Sequence, residues 1–258
     1  MTDDGTEDLA AGLSRRLDAL AAAGRRVSFW WRDDDAAAVT PALERLLGLA
    51  AGSGVPLALA VIPEPAEEAL ARRLDAPDLH RLRVLQHGYR HRNHEPAGSR
   101  ACELGPARAV DTVLAELAGG RDKLAALFSG RFLPVLTPPW NRISVEVAAR
   151  RGDIGLPGLS TFASVERAGH RLDAHLDPIV WRSTRGYMGD ARMLSLLDEE
   201  IAARQGLHAD VPVGLLTHHL AHDEAVWRST ATFLAVAGRH PAARWPDLEA
   251  AFALPQAA

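Results

Sequence analysis

Short apolar runs alternate with helical patterns along most of this 258-residue chain, and that alternation most restricts the folds open to it. Val27-Ser28-Phe29-Trp30-Trp31 reads as a buried strand, being short, aromatic and partly β-branched. Thr40 and Pro41 then open a helix as N-cap and first-turn residue; Leu43, Leu46, Leu47 and Ala50 form its apolar face and Gly54 closes it. Further strands are expected over 57–62, 82–85, 132–136, 154–162, 179–181 and 213–216. Helices are expected over 67–74, 107–127, 145–150, 191–204 and 224–237, the second of them interrupted near Gly119-Gly120. Residues 9–23 form an amphipathic helix ahead of the first strand, and 164–175 a loop or hairpin. Six or seven strands alternating with helices imply a parallel sheet with helical crossovers. With no linker or repeat to divide it, the chain reads as an N-terminal helical segment over 1–24 packed on a single α/β barrel over 25–258.

A chain of this length buries most of its apolar surface without disulfides or a structural metal. The formal net charge of −4 gives no reason to expect a nucleic-acid partner. Arg72, Arg73, Arg81 and Arg83 fall close together, as the solvated surface of a helix and turn. Cys102 is the single cysteine, which rules out an internal disulfide and fits a reducing compartment. The acidic residues 1–8 do not lead into the apolar run of a secretory signal. No stretch approaches the roughly 20 apolar residues of a membrane span. The expectation is a cytoplasmic protein. No helix carries an apolar stripe beyond what a barrel needs, so no oligomeric state is specified.

The reactive residues gather at strand ends. Asp33-Asp34-Asp35 follows the first strand, His87 and His91 the third, Pro138-Pro139-Trp140-Asn141 the fourth, and His218 and His219 the last. In parallel α/β folds the C-terminal strand ends form the face where ligands bind. Three adjacent aspartates repel one another, and a cation or a shared proton offsets that cost. His87 and His91, four residues apart, meet on one face if they occupy a helical turn. With Asp35 they make a two-histidine, one-carboxylate set that leaves coordination positions open, the pattern of a catalytic site. One of the histidines that end the last strand, His218 or His219 with His222 close behind, is suited to act as a general acid near neutral pH. Asp177 is placed to orient a catalytic side chain, and Trp140 and Trp181 to line a pocket. His94, Glu103, His219 and His222 read either as partners that fix ligand tautomers or as ordinary polar surface. There is no P-loop, GxGxxG fingerprint or GxSxG elbow.

In this order the motifs resemble those of the polysaccharide deacetylases of carbohydrate esterase family 4, whose NodB-like fold is a distorted (β/α)7 barrel. The Asp run of Arg32-Asp33-Asp34-Asp35 is similar to the family's base-then-ligand aspartate pair. His87 and His91 resemble its two metal-binding histidines, Asp177 with Trp181 its Asp and Trp, and Leu216-Thr217-His218 its Leu-x-His. Thr137-Pro138-Pro139-Trp140 resembles its Arg-x-Pro-aromatic motif, with Thr137 where the family has arginine. Arg142 or Arg32 is the candidate replacement. Spacing to Thr40-Pro41 favours Asp33/Asp34 as the pair, whereas Arg32 favours Asp34/Asp35, the assignment taken here.

The resemblance implies a metal-dependent hydrolase that removes an acetyl group from an N-acetylated sugar or glycan intermediate. It implies one divalent ion, Zn2+, on Asp35, His87 and His91, with Asp34 as base, His218 as acid and Asp177 in support. Pro139, Trp140, Asn141 and Trp181 are the expected substrate-binding residues. A cytoplasmic setting points to a soluble or lipid-linked precursor. The alternatives are a hydrolase of another amide or ester, or a catalytically silent carbohydrate-binding barrel, the latter prompted by Thr137.

Overall fold

The first strand is longer than its apolar core. β1 (Val27–Ala36) carries straight through the aspartates, so the acidic run is strand rather than the loop after it. The computed structural model describes residues 8–166 and 169–254; residues 1–7 of the N-terminal segment, 167–168 and 255–258 lie outside the described residues. Around β1 come α1 (Leu9–Ala22), α2 (Pro41–Ser53), β2 (Leu57–Val61), α3 (Glu68–Leu74), β3 (Leu82–His87), α4 (Val110–Phe128) and β4 (Phe132–Thr137). Then follow α5 (Val145–Arg150), β5 (Gly158–Leu159), α6 (Asp190–Ala203), β6 (Val213–Thr217), α7 (Glu224–Ala237), β7 (Ala243–Arg244) and α8 (Leu248–Ala251). The main strands are parallel in the order β5-β4-β3-β2-β1-β6, with β7 beside the start of β1.

The sheet curls into the expected distorted barrel. Residues 171–176 span the gap between its edges through isolated parallel bridges, Leu159 to Arg171, Phe162 to Ala174 and Leu176 to Leu215. Alternation along β1 sorts its aromatics: Phe29 and Trp31 join the outer core under the helices, and Trp30 joins Ala58, Ala60, Leu85, Val135 and Leu216 inside. α8 plugs the lower end, where the Phe252 ring meets Trp30 edge-on at 5.3 Å. α1 packs against α6 and α7 through Leu13 and Leu17, both wholly buried. Each such leucine stabilises by roughly 1.5–3 kcal/mol, which holds a helix that would be marginal alone.

Three expectations are corrected. α4 runs unbroken through Gly119-Gly120. A Cβ on Gly120 would lie 2.8 Å from Gln86 Nε2 and 3.0 Å from Pro63, so this glycine admits close packing rather than breaking the helix. The strand expected over 154–162 shrinks to β5, because a short helical turn occupies Arg151–Ile154 and Pro157 has no N–H to donate. Residues 179–181 form no strand: Ile179 N–H donates to Asp177 Oδ1, and a single antiparallel bridge to Tyr187 closes a turn. Arg72, Arg73, Arg81 and Arg83 each face a carboxylate, as a solvated surface would.

Candidate active site

The three aspartates do not share one counter-charge; each has its own. Along β1, Arg32 and Asp34 point to one face and Trp31 and Asp33 to the other. Asp33 is wholly buried and receives Thr217 Oγ1 at 2.6 Å, His219 N at 3.1 Å and His219 Nδ1 at 2.5 Å. Burial would lower the His219 pKa, but the adjacent Asp33 charge raises it above the usual value. Asp33 therefore fastens β1 to the end of β6 and stays out of the cavity.

Asp34 is paired with its neighbour two residues back. Arg32 Nη2 donates to Asp34 Oδ2 at 3.0 Å, and Nε sits 2.9 Å from Oδ1. The same wholly buried guanidinium donates to Ser160 Oγ at 2.7 Å, Thr161 O at 3.2 Å and Asn141 Oδ1 at 2.6 Å. Arg142 instead turns its Nη1 to the Ala101 carbonyl. Of the two candidate arginines, Arg32 is the one that pairs with Asp34.

Asp35 should fall back to the Asp33 face, and a bulge prevents it. Between Asp33 and Ala36, β1 spends three steps where β2 spends two, and Asp35 adopts φ 73°. Asp34 and Asp35 consequently both reach the cavity. Asp35 Oδ1 lies 3.1 Å from His87 Nε2 and 3.2 Å from His91 Nε2. Burial would raise the Asp35 carboxyl, but hydrogen bonds from His87 and His91, together with the charge of His87 and His218, hold it well below the carboxylate range.

The histidines converge without a helix, contrary to the expectation of a helical turn. His87 ends β3, and the chain reverses through Gly88 at φ 55° and His91 at φ 56°. A Cβ on Gly88 would sit 2.0 Å from Glu103 Oε2 and 2.6 Å from Pro139, so only glycine fits. Buried Glu103 clamps this turn, accepting from Tyr89 N at 3.1 Å and Arg90 N at 2.7 Å. His87 Nδ1 lies 2.9 Å from the Thr137 carbonyl, which only accepts, so Nδ1 carries a proton; Nε2 meets Asp35 through a second proton, or offers its lone pair to a metal ion in that proton's place. Burial opposes a charge on His87, yet Asp34 and Asp35 raise its pKa above the usual value. An electron-rich pocket of this kind attracts a proton, or a metal ion in its place. The three ligand atoms lie within 4.8 Å of one another, and together with the fixed His87 tautomer they fit a single divalent ion.

Opposite the aspartates, His218 follows β6. Its Nε2 is 3.9 Å from Asp34 Oδ2 and its Nδ1 is 4.0 Å from Asp177 Oδ2, both too far for a hydrogen bond. Asp177 accepts instead from Trp181 Nε1 at 2.7 Å, and Trp181 packs edge-on against the His218 ring at 4.7 Å. Burial raises the Asp177 pKa. The Trp140 ring packs at a tilt against His91, centroids 4.4 Å apart. Asp34, Asp35, His87, His91, Trp140, Asn141, Asp177, Trp181 and His218 all border one cavity of about 970 Å³. Pro139 does not border it; this expected substrate contact is buried against the site of Gly88.

The remaining histidines sort plainly. His222 accepts from the His218 backbone N–H at 3.3 Å and meets Trp227 edge-on, and burial pushes its pKa down to about 4. His94 stands outside the cavity. Sequence reasoning did not single out Glu103 as the clamp, nor Arg182 and Arg185 at the cavity mouth. The Arg32–Asp34 pair had a signal, since residues two apart in a strand share a face.

No protein-family model matches the sequence, and no curated protein matches it significantly. Solved structures do match. A protein of Mycobacterium smegmatis assigned as a polysaccharide deacetylase is 15% identical, with TM-score 0.60 over 89% of this chain and 90% of its own. A family 4 acetyl xylan esterase from Clostridium thermocellum, in complex with a cobalt ion, is 12% identical, with TM-score 0.54 over 88% and 91%. A mutant of a family 4 pseudoenzyme is 14% identical, with TM-score 0.54 over 85% and 64%. The chain has the NodB-like fold of the polysaccharide deacetylases and family 4 carbohydrate esterases.

Proposed function

We propose that this chain is a metal-dependent member of the polysaccharide deacetylase family that removes the acetyl group from an N-acetylated sugar. The observation that carries the reading is Asp35 Oδ1 between the Nε2 atoms of His87 and His91, beside a second, separately paired carboxylate. In this reading the catalytic domain begins at residue 25, and the α1 helix packs on it as an N-terminal addition. Cys102 is a free, buried thiol, which fits a reducing, cytoplasmic setting.

Asp35, His87 and His91 would hold the ion, and their two nitrogens and one oxygen suit Zn2+. When bound it supplies Lewis acidity, which makes water more acidic and draws electrons from an acyl carbonyl. Asp34, which borders the cavity and turns its Oδ2 toward His218, takes the proton of the attacking water. Arg32 fixes the Asp34 carboxylate and balances its charge before the proton arrives. As water oxygen bonds to the carbonyl carbon and the C–N bond breaks, His218 donates a proton to the departing nitrogen. Acetate and a free amine result. Asp177 supports His218 indirectly, by holding Trp181 against its ring. Trp140, Trp181 and Asn141 contact the sugar.

Arg32's hold on Asp34 favours activity over a silent barrel, since it supplies the cation that Thr137 lacks. Hydrolysis of another amide or ester uses the same residues. Zinc-loaded protein incubated with N-acetyl sugars, other amides and esters, and scored for acetate, ammonia and free amine, tests the choice. Acetate released with an equal amount of amine supports deacetylation, and ammonia or ester products alone reject it.

A further inference from the structure

The cavity has two levels of opposite charge. Its carboxylates, Asp34, Asp35 and Asp177, lie deep, and each already has hydrogen-bond or ionic partners. At the mouth the turn after Trp181 carries Arg182 and Arg185, both exposed, and Arg142 borders the cavity near Asn141. Neither Arg182 nor Arg185 meets a carboxylate among the described residues; the Arg185 guanidinium rests 5.8 Å from the Trp181 ring. Other exposed arginines of the chain do meet one, among them Arg45 with Glu224 and Arg150 with Asp111. Arg192, also at the mouth, pairs with Glu199 at 3.0 Å. The chain as a whole carries −4, so the cations at this mouth do not follow from a net basic composition. The volume, about 970 Å³, is near the top of the roughly 300–1,000 Å³ range of small-molecule sites, leaving room beyond one sugar ring.

We propose that Arg182 and Arg185, with Arg142, form a phosphate subsite, and that the substrate is an N-acyl sugar carrying a phosphate or diphosphate. This rests on the deacetylase reading for the identity of the acyl sugar, while the subsite stands on its own residues. Two guanidinium groups on one short turn suit a dianion, whose oxygens accept several charge-assisted hydrogen bonds at once. The Trp181 face beside them takes the sugar. The acyl group then points inward to Asp35 and the histidines, and the anion stays at the mouth, away from the buried carboxylates.

Calorimetric binding to zinc-loaded protein carrying His218→Ala, which suppresses turnover, tests the subsite. The probes are N-acetylglucosamine, its 1-phosphate, its 6-phosphate and its UDP-linked form. At least one phosphorylated probe binds about tenfold or more tightly than the neutral sugar. Adding Arg182→Ala and Arg185→Ala, at exposed positions whose loss leaves the melting temperature unchanged, brings that probe to the affinity of the neutral sugar. Preference for the monophosphates assigns a phosphate ester, and preference for the UDP form alone a diphosphate linkage. Equal affinity for all four probes, or a preference that survives the double substitution, overturns the proposal. Acetate release by the unmodified protein separates the two readings. Turnover without phosphate preference removes the subsite and leaves the deacetylase, and phosphate preference without acetate release does the reverse.

Discussion

Replacing Arg32 with methionine removes a cation from inside the barrel while keeping its apolar stem. The guanidinium contacts Asp34 at 3.0 Å and 2.9 Å, and neither side chain is more than marginally exposed. At 3.0 Å and an effective dielectric of about 20, two unit charges attract by about 5 kcal/mol. Breaking a buried pair by deleting one member costs about 3–5 kcal/mol, because the remaining charge keeps its desolvation penalty. The acceptors Ser160 Oγ and Thr161 O lose their donor as well. Arg32→Met should therefore lower the unfolding free energy by at least about 3–5 kcal/mol, a large share of the 5–15 kcal/mol typical of a domain. The further change Asp34→Asn removes the stranded charge and should recover part of the loss, although the orphaned acceptors remain. Urea unfolding followed by fluorescence of the six tryptophans measures both variants, in chelator so that metal binding does not contribute. A loss below about 1 kcal/mol for Arg32→Met, or a double variant less stable than the single, would refute the pairing as described.

Further expectations follow from single residues. His218→Ala should bind zinc like the parent, by metal analysis, yet release acetate about 10²–10⁴-fold more slowly; equal turnover removes His218 as the acid. Gly88→Ala places a methyl against Glu103 and Pro139, so zinc titration should show a marked loss of affinity and the melting temperature should fall. His175 is buried; burial and the Arg204 charge push its pKa down to about 4. Its Nδ1 accepts from Gly214 N–H at 2.9 Å, a bond that protonation there would break. Its unfolded pKa is about 6.5, so the unfolded chain takes the proton first. Stability is therefore full above about pH 6.5 and falls, by up to roughly 3 kcal/mol from this residue, as pH drops toward 4. Urea unfolding at pH 7 and 4.5 should show that slope, and His175→Gln should flatten it; an unchanged slope in the variant contradicts the assignment.

The sequence pattern located the strand ends and hence the edge on which Asp34, Asp35, His87, His91, Trp140 and His218 meet. Alternation and cap residues carry that information locally, as Thr40-Pro41 at the start of α2 does. What it could not supply came from departures from regularity. Strict alternation puts Asp35 on the Asp33 face, and only the bulge against β2 turns it to the cavity. Four-residue spacing suggested a helix for His87 and His91, whereas a turn held from Glu103, distant in sequence, brings them together. Gly119-Gly120 looked like a break because glycine disfavours helices, and contact with Gln86 and Pro63 overrides that preference. Residues 171–176 carry the closure of the barrel without strand-like pairing of their own, so no periodicity marked them.

Metal-dependent deacetylation is measured by acetate release from an N-acetylated sugar as zinc is titrated into metal-free protein. Release should rise in proportion to zinc, saturate at one ion per chain and disappear with His87→Ala. Release that persists in excess chelator, or that His87→Ala leaves intact, would contradict it.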